Sequence, residues 1–441
     1  MKKQKMADLI FLCLLVCIGV LTLLGTHFLK TGGISKRENR TLNPFPALSA
    51  DALLSGTFQD DFEHALMDRI LLSGTMKKTF NLYRRSSHFV AYSLLRTFHT
   101  EPREDGASEI SEQQGDLAPG TVPPRKKNYI PRGENLFEIE DSGHLVLFGY
   151  QPHEDESIRV HLADLERNVR EMMSTSILPR FYLYYIEGVN DVDFLNHKVP
   201  HTLYRQISEA FRNIGSSASL KLESVEDYQA YYYKTDHHLN HVGRRKTYVD
   251  VIRLLLGEDE PLLPHTPVEI GGIRFVGSRG RMIDDFSEGD VFVVNSYPLP
   301  ELNIFLSGVA EEDQGRYGRV EQYLEGKADA DVEINHYGIC FGQDTGLIQV
   351  QTFRPEKQNL LLIADSYSNP LNLPIASHFN QTYIVDLRHY LRDTGREFSL
   401  SGFTAEHEID KVLILGSAGL LRTDNFRMEP QKNETNGEVN P

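Results

Sequence analysis

Tryptophan is absent from this 441-residue sequence, and cysteine occurs only three times. Cys13 and Cys17 lie in an apolar N-terminal segment, which leaves Cys340 as the single cysteine in the rest of the chain. An internal disulfide framework is therefore excluded for that part. Its folded state must be stabilised by the packing of apolar side chains and by hydrogen bonds.

Positively charged residues are also fewer than negatively charged ones. Lysine and arginine together number 46 against 62 aspartates and glutamates, so the formal net charge is −16. A chain this acidic repels the phosphates of nucleic acids and the headgroups of anionic lipids over most of its surface. We therefore expect no nucleic-acid partner.

One long hydrophobic run is present, from Leu9 to Leu24, and three lysines precede it in the first five residues. The run is about the minimum length for a helix that spans a bilayer. Cationic flanks stay in the cytoplasm, which places the remaining chain outside. The following residues offer a poor cleavage site, so we predict a retained single-pass anchor in the cell membrane over residues 1–26.

Composition divides the rest of the chain into four parts. Residues 27–100 mix turn residues with apolar residues at helical spacing, which predicts a membrane-proximal helical region. Residues 101–128 are rich in Glu, Gly and Pro and contain no aromatic residue, as is typical of a flexible linker. The polar residues 424–441 predict a disordered tail. One folded domain is left, over residues 129–423.

Within that domain, strand-like runs alternate with amphipathic helices. The runs "NLLLIADS", "TYIVDLRHY" and "KVLILGSAG" are continuously apolar rather than alternating, which favours an α/β fold with a parallel sheet covered by helices on both faces. Residues at about 265–355 differ, because strand-like segments, "DVEINHYGICFG" among them, follow one another without a long helix. We expect an antiparallel β insertion there.

The stretch "LLLIADSYSNP" at 360–370 is the first candidate for chemistry. A buried strand delivers Asp365 and Ser366 to its carboxyl end, where open α/β sheets bind ligands. A serine at that place, beside the N–H groups of a starting helix, is suited to nucleophilic catalysis if a base lies within reach. The alternative is that both residues only cap the next helix.

The stretch "YYYKTDHHLNHVG" at 231–243 could supply the base. Asp236 and His238 are two residues apart, so both side chains can project to one side and the carboxylate can fix the imidazole tautomer. A polar loop that caps the next helix is the plainer alternative. A metal site for zinc or manganese, built from Asp236, His237, His238 and His241, is another. It would need further aspartates on neighbouring strand ends, and no early Asp-x-Asp motif supplies them. We expect no metal or other cofactor.

Five further residues are candidates for substrate or oxyanion contacts. Each follows a strand-like run or lies in a glycine-rich turn, where side chains can reach a crevice at the edge of the sheet. They are Asn369, His237, Ser278, Arg279 and Glu187.

On these motifs the chain resembles the DHHW family of Gram-positive membrane-anchored proteins, relatives of the alginate O-acetylation proteins in the SGNH-hydrolase-like superfamily. The N-terminal anchor matches, and the other matching segments cover most of the chain from Glu38 to about Gly416. These segments are "ENRTLNPFPALS", "LLSGTFQDDFEHALMDR", "YYYKTDHHLNHVG", "INHYGICFGQDTGLIQV", "LLLIADSYSNP" and "HFNQTYIVDLRHY".

The resemblance implies a three-layer α/β sandwich and a Ser-His-Asp acyl-transfer centre. Ser366 would be the nucleophile, His238 the general base and then acid, and Asp236 the residue that orients it. SGNH enzymes usually place the serine block first in the chain, whereas Asp236 and His238 precede Ser366 here, so a circularly permuted sheet is expected. The chain departs from the family pattern at Leu239, where a tryptophan is expected, and at Ala364, where a glycine is usual.

The expected function is that of an extracytoplasmic O-acyltransferase of the cell envelope, moving acetyl groups onto a cell-surface or secreted polysaccharide. A membrane-bound partner would supply the acyl group, because acetyl-CoA is cytoplasmic. The same three residues would also suit an esterase or deacetylase that uses water as the acceptor. A non-catalytic glycan-binding or scaffold protein is the alternative from another class.

Overall fold

The computed structural model describes residues 34–35, 40–41, 58, 129–132, 135–147, 155–173, 179–194, 198–283, 285–307, 309–310, 317–423 and 426–429. The predicted anchor at 1–26 and linker at 101–128 lie outside these residues. So do nearly all of 27–100 and most of 424–441, and these assignments stay predictions. No helix in the described part of the chain is both long and apolar enough to cross a membrane.

Strands and helices of the described residues are numbered in chain order. The strands are β1 (Ile34–Ser35), β2 (Arg40–Thr41), β3 (Tyr129–Pro131), β4 (Leu136–Ile139), β5 (Leu145–Leu147), β6 (Arg180–Ile186), β7 (Gly215–Leu220), β8 (Thr266–Phe275), β9 (Asp290–Ser296), β10 (Asn303–Leu306), β11 (Val309–Ala310), β12 (Leu347–Gln351), β13 (Leu360–Ala364), β14 (Gln381–Val385) and β15 (Lys411–Gly416). The helices are α1 (Glu156–Met173), α2 (Thr202–Phe211), α3 (Val225–Tyr231), α4 (His241–Leu256), α5 (Ser278–Met282), α6 (Val320–Leu324), α7 (His336–Phe341), α8 (Asn372–Ala376), α9 (Leu387–Thr394), α10 (Leu400–Glu406) and α11 (Ala418–Arg422). Short 3₁₀ helices cover Val189–Asp191 and Asn369–Leu371.

The largest sheet has the strand order β11-β10-β12-β14-β13-β15-β6-β7. Strands β14, β13, β15, β6 and β7 run parallel, while β12, β10 and β11 pair antiparallel at one edge. Strands β3 to β5 form a separate antiparallel sheet, β8 pairs with β9, and β1 pairs with β2. The fold is thus mixed α/β with a largely parallel central sheet, as the continuous apolar runs predict.

Strand β13 shows how the sequence builds the layers. All five of its residues are buried, because successive side chains point to opposite faces of a sheet that is covered on both. Leu360, Leu362 and Ala364 join the apolar core that α3, α4 and α8 cover. Leu361 and Ile363 join the core on the other face, under α1, α2, α9, α10 and α11. The serine that follows β13 is therefore carried by a strand that is enclosed on both faces.

The region 265–355 is more divided than the predicted single insertion. Strands β8 and β9 form a separate antiparallel pair with a small core of its own, whereas β10 and β12 extend the main sheet. The prediction of a strand in "DVEINHYGICFG" was wrong, because His336–Phe341 is the helix α7. The Asn335 side chain accepts a hydrogen bond from the Gly338 N–H at 3.2 Å and caps it. Five of its six residues are buried, so no helical stripe marks it in the sequence.

The apolar spacing of Leu203, Ile207, Ala210 and Ile214 predicts one helix. The observed helix is shorter, and a strand was missed beside it. Helix α2 ends at Phe211, and Ile214 lies in the following turn rather than in the helix. Strand β7 has the sequence GSSASL, which lacks the β-branched and aromatic residues that mark a strand. It forms because β6 offers a parallel edge from Phe181 to Ile186.

Candidate active site

Ser366 lies at the carboxyl end of β13, the second residue after the strand. The turn that carries it is fixed by the buried Asp365 carboxylate, which accepts hydrogen bonds from the Tyr367 N–H at 3.1 Å and the Ser417 N–H at 3.2 Å. Burial raises the pKa of Asp365 to about 6, and the charge of Arg388 opposes part of this rise. The Ser366 side chain itself is only partly buried, so a substrate can reach it.

Ala364 does not strain this turn, although the family that the sequence resembles usually has glycine there. It is the last residue of β13, its backbone is that of a strand, and its side chain is 2% exposed. The Cβ packs into the apolar core rather than against the turn. The methyl group of Ala364 therefore does not disturb the position of Ser366.

His238 lies between Ser366 and Asp236. Its Nε2 is 2.9 Å from the Ser366 Oγ, and its Nδ1 is 2.6 Å from the Asp236 Oδ1. An ionised carboxylate can only accept hydrogen bonds, so Nδ1 carries the proton and Nε2 is the acceptor for the serine hydroxyl. This is the tautomer that a general base needs.

The Asp236 carboxylate is fully bonded on both oxygens. Oδ1 accepts from the His238 Nδ1–H and, at 2.9 Å, from the His238 N–H, and Oδ2 accepts from the Ser278 N–H at 2.6 Å. Burial alone would raise the pKa of Asp236. The charges of His237 and His238 and these hydrogen bonds outweigh it and hold the pKa well below its usual range. Asp236 is therefore a fixed anion.

A second carboxylate fixes the loop that carries Asp236. Asp290 accepts hydrogen bonds from the Lys234 N–H at 2.7 Å, the Thr235 N–H at 2.9 Å and the Thr235 hydroxyl at 2.6 Å. The Thr235 hydroxyl oxygen in turn accepts from the Gly277 N–H at 3.0 Å. The loop from 234 to 238 is thus tied to the start of β9 and to the end of the β8 segment.

Gly277 leaves no room for a side chain. A Cβ at this position would lie 2.1 Å from the Asp236 Oδ2, although the backbone φ of −83° is one that any residue adopts. Gly277→Ala should therefore displace the Asp236 carboxylate and reduce any turnover of p-nitrophenyl acetate at Ser366 about 100-fold, since a shift of about 1 Å in a catalytic group has effects of this size. The test measures the turnover of p-nitrophenyl acetate and the urea midpoint of unfolding for both the variant and the wild type.

Gly271→Ala is the matched control for that variant. Gly271 lies in β8, and a Cβ there would meet no atom within 4 Å. It should keep activity within about twofold of the wild type, because substitutions in open surface positions change little. Full activity of Gly277→Ala would show that the contact with Asp236 has no catalytic importance.

Three of the five predicted contact residues lie beside the triad. The His237 Nδ1 is 2.7 Å from the Ser278 Oγ, and the His237 side chain is 39% exposed. The Ser278 N–H bonds to Asp236, so Ser278 supports the triad. The Asn369 Nδ2 donates to the Gly342 carbonyl at 3.2 Å and to the Asp344 carboxylate at 3.1 Å, which ties the serine turn to the loop after α7.

The other two are not placed to touch a substrate, and this corrects the sequence-based expectation. Arg279 is 2% exposed and donates from Nη1 to the Leu145 carbonyl and to the Tyr228 hydroxyl. The Glu187 side chain is completely buried and is bonded to His201 Nδ1 at 2.7 Å and the Leu222 N–H at 2.9 Å. Both residues therefore stabilise the fold around the site.

The oxyanion donors also differ from the expectation of several free amides. The Tyr367 N–H bonds to the Asp365 side chain, and the N–H groups of Ser368 and Asn369 bond to the carbonyls of Asp365 and Ser366. Within the described part of the chain, the Ser366 N–H has no hydrogen-bond acceptor. It is the backbone donor that remains for an oxyanion.

Metal ligation remains a geometric alternative, and the hydrogen bonds argue against it. Donor atoms of Asp236, His237 and His238 lie within 4.8 Å of one another, whereas His241 does not join them. Both oxygens of Asp236 and both nitrogens of His238 already have partners. A metal would have to break the bond to Ser366, so the arrangement favours the Ser-His-Asp interpretation.

Leu239 faces away from the site. It is 1% exposed and packs in the core with Tyr232 and Tyr248, and it pairs with Tyr232 through an isolated bridge. A leucine here, where the family that the sequence resembles has tryptophan, therefore affects the core behind the loop.

Two tyrosines of the site were not identified from the sequence. Tyr367 donates its hydroxyl to the His237 carbonyl at 2.7 Å, and Tyr337 of α7 lies against the His238 ring. Tyr367 could have been found from its position next to Ser366. Tyr337 could not, because it comes from a distant segment whose helix the sequence pattern does not show.

Comparison with known proteins gives a fold and no family. No protein-family model and no curated protein matches the chain. A crystal structure of a DHHW family protein from Eubacterium siraeum is similar with a TM-score of 0.51 at 14% identity, over 68% of this chain and 97% of that one. At this identity the likeness shows the fold alone.

Two structures of PatB1 from Bacillus cereus are also similar. The structure with a sulfonyl adduct has a TM-score of 0.49 at 18% identity, over 67% of this chain and 98% of that one. The other PatB1 structure has a TM-score of 0.48 at 18% identity, over 67% of this chain and 100% of that one. Both TM-scores lie below 0.5 and add nothing to the fold assignment.

Proposed function

We propose that this chain is an O-acyltransferase that moves acetyl groups onto hydroxyls of a cell-surface or secreted polysaccharide. The observation that carries the proposal is the continuous hydrogen-bonded series from the Ser366 Oγ through both nitrogens of His238 to the buried Asp236 carboxylate. Nucleophile, base and orienting anion each have the geometry that acyl transfer requires.

In the first half of the reaction, His238 Nε2 takes the proton of Ser366 Oγ while the oxygen attacks the acyl carbonyl carbon. The carbonyl oxygen becomes an oxyanion, to which the Ser366 N–H can donate. The tetrahedral intermediate then collapses and the bond to the donor breaks. The leaving group departs with the proton from His238, and an acyl-serine remains.

In the second half, a sugar hydroxyl gives its proton to His238 and attacks the acyl-serine carbonyl. A second oxyanion forms and collapses, the bond to Ser366 Oγ breaks, and the serine recovers its proton from His238. With water in place of the sugar, the same steps describe an esterase. The difference lies in how well the site excludes water and holds the acceptor.

We also propose that the domain is a circularly permuted SGNH-hydrolase-like sandwich of the DHHW type. Asp236 and His238 precede Ser366 in the chain, yet they meet at the carboxyl edge of one parallel sheet. The predicted anchor would place this domain outside the cytoplasmic membrane. A membrane-bound acyltransferase partner would then have to deliver the acyl group.

The test is an intact-mass measurement on the full chain after incubation with p-nitrophenyl acetate, with and without a soluble oligosaccharide. We expect an acetyl adduct that maps to Ser366 and is absent from Ser366→Ala. With the oligosaccharide present, acetylated sugar should form faster than free acetate, and the reverse would identify an esterase. A folded wild-type chain with neither adduct nor turnover would contradict the proposal and favour the glycan-binding or scaffold alternative.

A further inference from the structure

A tyrosine from the region before β12 touches both reacting partners of the triad. The ring of Tyr337 is stacked on the imidazole of His238, with centroids 4.0 Å apart and an interplanar angle of 18°. Its hydroxyl donates to the Ser366 carbonyl oxygen at 3.1 Å. One side chain thus contacts the general base through its π face and the nucleophile's backbone through its oxygen.

Tyr337 is held in this position by its own surroundings. It is 5% exposed, and its ring meets the edge of Phe341 at a centroid distance of 5.2 Å and an angle of 68°. The Arg244 guanidinium lies over the Phe341 ring, 4.6 Å from its centroid. Helix α7 is therefore packed between the triad and α4, and these contacts hold the Tyr337 ring against the imidazole.

The stacking has a chemical consequence, because His238 becomes a cation twice in each catalytic cycle. The face of an aromatic ring carries negative partial charge and attracts a cation placed over it, and the attraction is stronger where water is excluded. The His238 side chain is 10% exposed, so water contributes little to the stabilisation of the imidazolium.

We infer that Tyr337 is a positioning residue of the acyl transfer, which holds the His238 ring in line with Ser366 and stabilises its imidazolium through the π face. The inference rests on the proposed function and adds a residue from outside the motif that carries Asp236 and His238. The hydroxyl bond to the Ser366 carbonyl is a separate contact with a smaller effect.

Other charged and titratable groups surround the same ring and are unchanged by substitution of Tyr337. Asp236 and His237 belong to the same loop as His238, and Tyr367 follows β13. Further out, Arg244 lies over the Phe341 ring of α7, and the charge of Arg279 interacts with Tyr367 and Asp236. If substitution of Tyr337 alone shifts the pH profile, the shift therefore measures the effect of the Tyr337 side chain on His238.

The experiment compares Tyr337→Leu with Tyr337→Phe on the full chain, measuring kcat/KM for p-nitrophenyl acetate from pH 5 to 9. Tyr337→Phe keeps the ring and loses the hydroxyl, so we expect a loss of about threefold and an unchanged profile, since a single neutral hydrogen bond is modest. Tyr337→Leu keeps an apolar side chain but lacks both the π face and the hydroxyl. We expect a loss of about tenfold and an acidic midpoint about one pH unit lower, because the imidazolium is less stable.

Two results would overturn the inference. Tyr337→Leu with an unshifted profile would mean that the ring does no more than pack, and an equal shift in both variants would assign the effect to the hydroxyl. Urea unfolding of each variant identifies any loss of folded protein. Acetylation of Ser366 in the wild type tests the proposed function separately, so failure of one is distinguishable from failure of the other.

Discussion

Replacing His238 by alanine should lower kcat for p-nitrophenyl acetate by a factor of about 10⁴ to 10⁶, the range found when a base or nucleophile of such a triad is removed. Without the imidazole, the Ser366 Oγ has no proton acceptor among the contacts that the structure shows for it. The serine is then a neutral hydroxyl and a weak nucleophile. Turnover and the acetyl adduct should disappear together, while urea unfolding stays close to that of the wild type.

Added imidazole supplies the control. In His238→Ala the vacated space is lined by the rings of Tyr337 and His237 and by the Asp236 carboxylate, so a free imidazole can enter it. Partial recovery of turnover at millimolar imidazole is expected for His238→Ala and not for Ser366→Ala, which has lost the nucleophile. Equal recovery in both variants would mean that imidazole reacts with the ester in solution, and the base assignment would lose its support.

The parallel part of the sheet could be predicted because its strands are marked locally. In β13 and β15 every residue is buried, and the apolar runs are continuous as a doubly covered sheet requires. The same runs place Ser366 at a carboxyl edge. The spacing of Asp236 and His238 made them candidates, since a carboxylate two residues from an imidazole can reach its Nδ1, and the resemblance to the DHHW family implied their roles. Their approach to Ser366 could not be predicted from strand edges, because both residues lie in the loop between α3 and α4.

No local sequence pattern identifies the residues that support the triad. Gly277 matters because Asp236 occupies the space where its Cβ would lie, and Asp290 matters because it binds the loop before Asp236 from 55 residues away. Both effects are long-range contacts, which a sequence pattern cannot show. Tyr337 was hidden in the same way, because α7 is buried on most of its surface and its apolar residues resemble those of a strand.

Arg279 and Glu187 show the opposite error. Each is a charged residue near a turn, and such residues are mostly exposed, so both were expected to face the crevice. The structure satisfies them internally instead, through the Leu145 carbonyl and the Tyr228 hydroxyl for Arg279 and through the Leu222 N–H for Glu187. Partners that come from other parts of the chain allowed these charges to be buried.

Asp236→Asn should reduce kcat/KM by about 10⁴, or about 5 kcal/mol of transition-state stabilisation, while changing the shape of the side chain very little. The asparagine oxygen can accept from the Ser278 N–H only if its amide nitrogen faces His238. The amide then donates to Nδ1, which forces the imidazole proton onto Nε2, where the Ser366 hydroxyl needs an acceptor. In the opposite orientation the amide faces the Ser278 N–H, and two donors oppose each other.

The matched control for this variant is Asp250→Asn. Asp250 accepts hydrogen bonds from the Tyr184 hydroxyl at 2.8 Å and the Lys246 ammonium at 2.9 Å, both of which an asparagine oxygen can accept. It lies on α4, outside the triad, so activity should stay within about twofold of the wild type. If both variants lost activity equally, loss of an acidic side chain in general, and not the tautomer of His238, would be responsible.

The effect of Asp236→Asn on stability should depend on pH in a direction that the pKa fixes. Neighbouring charges and hydrogen bonds hold the pKa of folded Asp236 well below its usual range, so the folded state binds this proton less readily than the unfolded chain does. The stabilisation that Asp236 provides is therefore complete above the unfolded value of about 3.9 and is lost as the pH falls below it. Urea midpoints of wild type and variant should differ at pH 7 and approach each other towards pH 3. A constant difference would show that Asp236 contributes shape rather than charge, and would contradict its assignment as the anion that orients His238.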